Sequence, residues 1–371
     1  MKVALIGVGQ AGGKVTQSLA AFDHDMGFDA VRGALAVNTA RADLQTLQID
    51  TALIGQDRVN GHGVGGDNEL GAEIMQASAT EVLDELDGRL TSEAEAVVVV
   101  AGLGGGTGSG GAPMLVRELK RIHDIPVYLL GVLPGDDEGA LYQANAGRSL
   151  KTAIRESDSV LLVDNDAWRG PGDSVAEGYD RINDAIARRI GLLLAAGEGT
   201  GERSVLSERG RTGGGPAAAS VVDASEISNT LRGGGIAAVG YAAAEAGDDA
   251  GENVTTVTTV TRTALLTGMS LPEATDAESA LLVIAGDPER LPRKGVERAR
   301  RWVEDETGSM QVRGGDFPLD SEKIAALVLL SGVERSGRVE EFMRKAKLAA
   351  SSQGQDSDPA EFVSDDLDSL M

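Results

Sequence analysis

The chain has 371 residues, 58 of them acidic against 34 basic, a formal net charge of −24 and a pI near 4.5, a balance that argues against nucleic acid or anionic lipid as a direct partner. It has no cysteine, which excludes disulfides and thiolate metal sites. The histidines His24, His62 and His123 lack ligand spacing, no apolar run reaches the length of a membrane span, and Met1 leads into a strand without a charged signal segment, so a cytoplasmic protein with no span is expected.

Strand-like runs at Val3, Ala34, Ala96, Val127 and Val160 alternate with helical patterns, the signature of a doubly wound parallel sheet of the α/β class. The first run, Val3 to Ile6, ends in GVGQAG, a glycine turn whose Gly9, Gln10, Ala11 and Gly12 open a helix. A Walker A loop is absent: in VGQAGGKV, Val8 stands where the first glycine belongs and Val15 where the hydroxyl belongs. A dinucleotide-binding unit wants an acidic residue at the end of the second strand, but Ala34 to Val37 ends in Asn38 and Thr39. GHGVGGD, Gly61 to Asp67, adds a glycine loop with Gly65 and Gly66, and Asp67 either caps the helix starting near Asn68 or holds a metal.

The next loop is the most informative. After the buried-strand run Ala96 to Ala101 comes GGGTGSG, Gly104 to Gly110, with far more glycine than a strand-to-helix turn needs. Gly104, Gly105, Gly106 and Gly108 let backbone approach a phosphate, while Thr107 and Ser109 add hydroxyls at a helix N-terminus.

Val175 to Ala196 reads as one long helix, on which Tyr179 and Asn183 share a face. They either stack on a purine and bond its edge, or are a core aromatic beside a surface amide. Gly197 to Gly215 reads as a mobile loop. In VVDASEIS, Val221 to Ser228, Asp223 and Glu226 lie three apart at a helix start, a pattern equally suited to paired functional carboxylates and to a capping box. Ile236 to Ala242, Leu281 to Ala285, Met310 to Val312 and Ile324 to Leu330 read as strands, with helices around Asn253 to Leu266 and Val296 to Thr307. From Ala349 a disordered tail is expected, ending in Phe362, Leu367, Leu370 and Met371 among aspartates, as a partner motif or a solvated terminus.

These motifs together resemble the tubulin and FtsZ superfamily of filament-forming GTPases. GGGTGSG is close to its signature, GQAG with Gln10 is similar to its first phosphate loop in the tubulin form, VNTA (Val37 to Ala40) to its second, and Gly63 to Asp67 to its third. PGDDEG, Pro134 to Gly139, resembles its ribose loop with Glu138 at the carboxylate position, although Tyr142 stands where FtsZ carries an arginine. VDND, Val163 to Asp166, puts Asn165 at a guanine-contacting position, and the Tyr179–Asn183 pair is tubulin-like. The resemblance implies a GTP-binding domain over 1–172, a central helix over 173–196, a mobile loop over 197–220, a C-terminal α/β domain over 221–348 carrying a catalytic loop, and a tail over 349–371.

It further implies GTP or GDP and Mg2+ as ligands, head-to-tail self-assembly, and hydrolysis completed when one subunit's Asp223 and Glu226 enter the next subunit's site. Which groups hold the cation is left open. The mixture of tubulin-like and FtsZ-like residues in so acidic a chain resembles the CetZ family of haloarchaea, which implies control of cell shape, solubility in concentrated salt, and an adaptor at the tail as the route to the envelope. The alternatives are a non-hydrolysing nucleotide-sensing scaffold, an FtsZ-like division protein and, disfavoured by the missing ribose carboxylate, an NAD-linked oxidoreductase.

Overall fold

Apolar runs with no polar alternation form strands buried on both faces. In the computed structural model, which describes residues 1–88, 93–168, 175–198, 222–334 and 336–353, the strands are β1 (Val3–Val8), β2 (Val31–Asn38), β3 (Asp50–Leu53), β4 (Ala96–Gly102), β5 (Val127–Leu133), β6 (Ser159–Asp164), β7 (Ile236–Glu245), β8 (Ala277–Gly286), β9 (Gln311–Pro318) and β10 (Lys323–Val333). They make one sheet in the order β3-β2-β1-β4-β5-β6-β7-β10-β8-β9. Pairing is parallel from β3 to β7, β10 runs antiparallel to β7 and β8, and β9 is parallel to β8.

The chain winds outward from β1 to β3, then returns to β4 and winds the other way, so a switch point falls between β1 and β4. In open α/β sheets that crevice, at the carboxyl ends of the strands, is where ligands bind.

The helices are α1 (Gly9–Met26), α2 (Arg41–Leu44), α3 (Gln56–Val59), α4 (Asn68–Ala77), α5 (Ala79–Leu86), α6 (Gly106–Ile122), α7 (Ala140–Glu156), α8 (Val175–Ala196), α9 (Ala224–Leu231), α10 (Asn253–Leu266), α11 (Arg293–Thr307) and α12 (Gly337–Gln353). Successive strand residues point to opposite faces. Accordingly Leu5, Val98 and Val100 pack with Leu19 of α1 and Ile186 of α8, while Ile6, Val97 and Val99 pack with Leu115 of α6, Ile74 of α4 and Leu150 of α7. Among the described residues no helix is long and apolar enough to cross a membrane.

The expected strands and helices are present, and the bounds expected for α8 and α10 are those observed. β9 is longer than expected: it starts after Met310, which is 95% exposed, and its Arg313–Phe317 stretch lacks alternation yet follows β8 in register. Ala349, where the tail was expected to start, lies within α12, which continues to Gln353. The rest of the tail, with Phe362, Leu367, Leu370 and Met371, lies outside the described residues, as does most of the loop expected over Gly197 to Gly215.

Candidate nucleotide site

Two helix N-termini meet at the switch point. Gly9 opens α1 in the left-handed region (φ 76°), and a Cβ there would stand 2.9 Å from the Gly108 amide nitrogen of α6. A Cβ at Gly12 would lie 2.2 Å from the Val100 carbonyl oxygen, so α1 lies directly on the end of β4. Neither helix has a side-chain cap or an acidic residue in its first turn. Their first amides and the positive ends of their dipoles therefore face the crevice without a competing carboxylate, the arrangement that binds phosphate.

The glycines of the 104–110 run divide into two groups. A Cβ at Gly106 would meet Val64 Cγ2 at 2.4 Å, one at Gly108 the Gly102 oxygen at 2.7 Å, and one at Gly110 the Asn68 oxygen at 1.9 Å, so these positions are glycine because neighbouring backbone and α4 sit against α6. Gly104 is crowded by Pro134 and Tyr142, each at 3.2 Å. Gly105 is different: a Cβ on this N-cap residue meets nothing within 4 Å among the described residues, so packing does not demand glycine there. The hydroxyls are engaged internally. Ser109 Oγ donates to the Gly105 carbonyl, and Thr107 Oγ1 shares a 2.7 Å hydrogen bond with Thr39 Oγ1.

Around the α1 N-terminus, Gln10 Nε2 and Asn38 Nδ2 both donate to the Asp43 carboxylate, at 3.1 and 3.0 Å, while Asn38 Oδ1 accepts from the Thr39 amide at 2.8 Å. Ala11 is exposed beside them. Gly65 and Gly66 adopt φ of 59° and 89°, and Asp67 takes the capping role of its two alternatives, Oδ1 accepting from the Leu70 amide at 3.0 Å. No group of three or more His, Cys, Asp or Glu side chains among the described residues is placed to hold a metal.

Sequence reasoning missed Asp43 and Asn145. Asn145 Nδ2 donates to the carbonyls of Gly66 (2.8 Å) and Gly104 (3.1 Å), tying the third loop to the fourth. Its Oδ1 is buried without a hydrogen-bond partner among the described residues. An amide on a helix face shared with Ala146 and Ser149, all buried, was the available signal.

Beyond the carboxyl ends of β5 and β6, Glu138 Oε1 accepts from the Gly135 amide at 2.9 Å and from Asn165 Nδ2 at 3.2 Å. Asn165 is buried at the start of a 3-10 turn, Asn165–Trp168, that follows β6. α8 packs on this turn and presents Tyr179, 37% exposed, one helical turn from half-buried Asn183. That exposure removes the core-aromatic alternative for Tyr179. A cavity of about 520 Å³ opens beside the 134–139 loop, lined by Asp136, Glu138, Gln143, Lys345 and Leu348 among others.

Asp223 and Glu226 lie elsewhere. Asp223 caps α9, accepting from the Glu226 amide at 3.0 Å and from Ser225 Oγ at 2.6 Å, and these bonds, the Ser225 hydroxyl first, hold its carboxyl below the usual range. Glu226 is pushed up by burial and then by the Asp223 charge, and its Oε2 is buried without a hydrogen-bond partner among the described residues. The capping geometry read from the sequence is present, and it leaves one carboxylate oxygen unused.

This corner sits by the start of β1. Asp223 bridges to Glu198, whose carboxylate lies 2.9 Å from the Met1 amine. The glycine loops follow the far ends of β1 and β4, roughly 20 Å away along a six-residue strand. Within one chain, the paired carboxylates and the glycine loops occupy opposite poles.

A switch-point crevice between two uncapped helix N-termini, in a sheet of this strand order, is the architecture of the tubulin/FtsZ fold. The family model of the Tubulin/FtsZ family, GTPase domain, matches residues 2–171, and that of the Tubulin-like CetZ, C-terminal domain, matches residues 172–348. The chain belongs to the CetZ family of tubulin-like proteins. It is 63% identical to tubulin-like protein CetZ2 of Haloferax volcanii over 377 aligned residues, covering 100% of both chains. Among solved structures it is similar to a GTPγS-bound protofilament of Haloferax volcanii CetZ2 (63% identity, 95% of this chain and 99% of that one, TM-score 0.88). It is also similar to a GDP-bound monomer of CetZ1 from the same organism (47% identity, 94% and 100% coverage, TM-score 0.84).

Proposed function

We propose that this chain binds GTP and GDP, assembles head-to-tail, and hydrolyses GTP where the α9 pole of one subunit meets the glycine loops of the next, in filaments that serve cell shape. The observation that carries this reading is the polar separation of the two halves of the site. Carboxylates at one end of β1 reach phosphates bound at the other end only in another copy, and a contact between unlike ends that does not close builds a filament. The GTPγS-bound protofilament of the similar CetZ2 supports the same reading.

Each side chain has a role in it. The free amides of α1 and α6 and the Gly105 backbone hold the phosphates. Glu138 takes the ribose, Tyr179 stacks on the purine, and Asn165 and Asn183 bond its edge. Mg2+ with a nucleotide takes most ligands from phosphate and water and needs few protein oxygens. The buried Asn145 Oδ1, which has no hydrogen-bond partner among the described residues and lies beside the Gly66 and Gly104 carbonyls, fits that demand and would hold it. When bound, the ion spreads the charge of the transferring phosphoryl group.

Asp223, kept ionised by its hydrogen bonds, and Glu226, with one oxygen unused, orient the attacking water from the neighbouring subunit. The GTP-binding part is assigned to 1–172, the connector to 173–196 and the catalytic-loop domain to 221–348, with an adaptor at the tail as the link to the envelope. Light scattering and phosphate release at high salt test the reading: GTP should produce scattering and phosphate together, and GDP neither. Assembly indifferent to the nucleotide, or phosphate release at a rate independent of protein concentration, would overturn it.

A further inference from the structure

The C-terminal helix α12 is held to the nucleoside end of the site by one buried guanidinium. Arg338, its side chain 10% exposed, pairs with Asp136 of the ribose loop, with Asp164 Oδ2 at the end of β6 (3.0 Å) and with Asp166 Oδ2 of the following turn (3.0 Å). It also donates to the Pro134 carbonyl at 3.0 Å. The three carboxylates belong to the two segments that carry Glu138 and Asn165, and those segments bond to each other through Asp136 N to Asp166 Oδ2 at 2.7 Å. Without the cation between them, the buried Asp164 carboxylate faces the Asp136 and Asp166 charges with no guanidinium to offset them, and like charges push the segments apart. Burial works against the guanidinium's charge, yet the three aspartates together raise its pKa.

A second tie runs in parallel. Lys345 Nζ donates to Gln143 Oε1 at 3.2 Å, and Gln143 Nε2 donates to the Gly135 carbonyl at 2.6 Å. Docking of the helix itself has a separate, apolar basis, because Phe342 is fully buried and its backbone carbonyl sits against Gly147 of α7.

We propose that Arg338 is a positioning residue for the nucleoside half of the ligand: it fixes the ribose loop against the 164–166 turn, so that Glu138 and Asn165 stand at the spacing a guanosine requires. The inference rests on the function proposed above. It predicts a division within one site, since the phosphates are held by α1 and α6, which Arg338 does not touch, while ribose and base are held by segments it clamps.

Competition binding of GTP, ATP and inorganic triphosphate to the full chain tests this, with thermal unfolding measured on the same samples. Arg338→Met should lose GTP affinity by about tenfold through misplacement of the nucleoside contacts, lower the GTP-to-ATP preference, and leave triphosphate affinity unchanged. Arg338→Lys, which keeps the charge without the planar fork, should recover part of the preference. Should Arg338→Met fail to fold, Asp136→Asn, at a carboxylate that is 70% exposed, should shift the preference in the same direction by less.

A folded variant that is destabilised but keeps the wild-type GTP-to-ATP ratio would overturn the positioning role and leave the proposed function standing. A wild-type chain that binds triphosphate but shows no preference for GTP would overturn the functional reading, and the inference with it.

Discussion

Gly105 and Gly110 are a few residues apart in one glycine run, and the structure predicts opposite consequences for the same substitution. At Gly105, φ is −70°, which suits any residue, and an added Cβ meets nothing within 4 Å. Gly105→Ala then costs only the preference for glycine over alanine at an N-cap, about 1 kcal/mol. The new methyl stands where the proposed phosphate approaches the backbone, so GTP affinity should fall by about tenfold or more, equivalent to 1.4 kcal/mol.

At Gly110 the Cβ would lie 1.9 Å from the Asn68 oxygen and 2.7 Å from the Ala72 nitrogen, whereas ordinary contact begins at 3.4 Å. Both obstacles are backbone, so α4 has to shift by about 1.5 Å, a loss of about 3 kcal/mol in a tightly packed interior. Denaturant unfolding and GTP binding on both variants separate the effects. A Gly105→Ala chain that binds GTP as tightly as wild type would refute the assignment of that residue to the phosphates, and a Gly110→Ala chain as stable as wild type would refute the packing argument.

Asn183→Ala should weaken GTP binding and reduce the preference over ATP, because a site built around an edge hydrogen bond loses discrimination with that group, while Tyr179→Ala should lower affinity for both purines; unchanged competition curves for both would show the base pocket misassigned. Glu226→Gln should change the pH dependence of stability. Burial and the Asp223 charge raise the folded pKa of Glu226 above its ordinary 4.5, so its favourable contribution is present below 4.5 and is lost as pH rises through the raised value. The Gln variant, which does not ionise, should gain on wild type as pH climbs from 4.5 toward neutrality, and parallel unfolding curves across that window would contradict the burial argument.

The fold was legible wherever a strand is buried on both faces. Val97 to Val100 and Leu129 to Leu133 read as strands because helices cover both sides of them. β3 was not, since of its four residues only Ala52 is buried and an edge strand leaves no apolar run. The glycine loops led to the expectation of a phosphate site, but not to which glycines packing demands, because close packing of α4 on α6 calls for the same residue for a different reason. Asn145, Asp43 and Arg338 were invisible for another cause: each acts by joining segments far apart in the chain, and no spacing in the sequence records such a join.

The central claim is that each hydrolytic site is completed by the neighbouring subunit, and a mixing experiment tests it most directly. One variant, Glu226→Ala, keeps the phosphate loops but lacks the carboxylate; the other, Gly105→Ala with Asn183→Ala, keeps Glu226 but is impaired in holding GTP. Each alone should release little phosphate at limiting GTP. Mixed, they should recover a substantial part of wild-type phosphate release, because the second variant supplies Glu226 to GTP bound on the first. A mixture no more active than the sum of its separate components, under conditions where both variants co-sediment in filaments, would contradict completion of the site in trans.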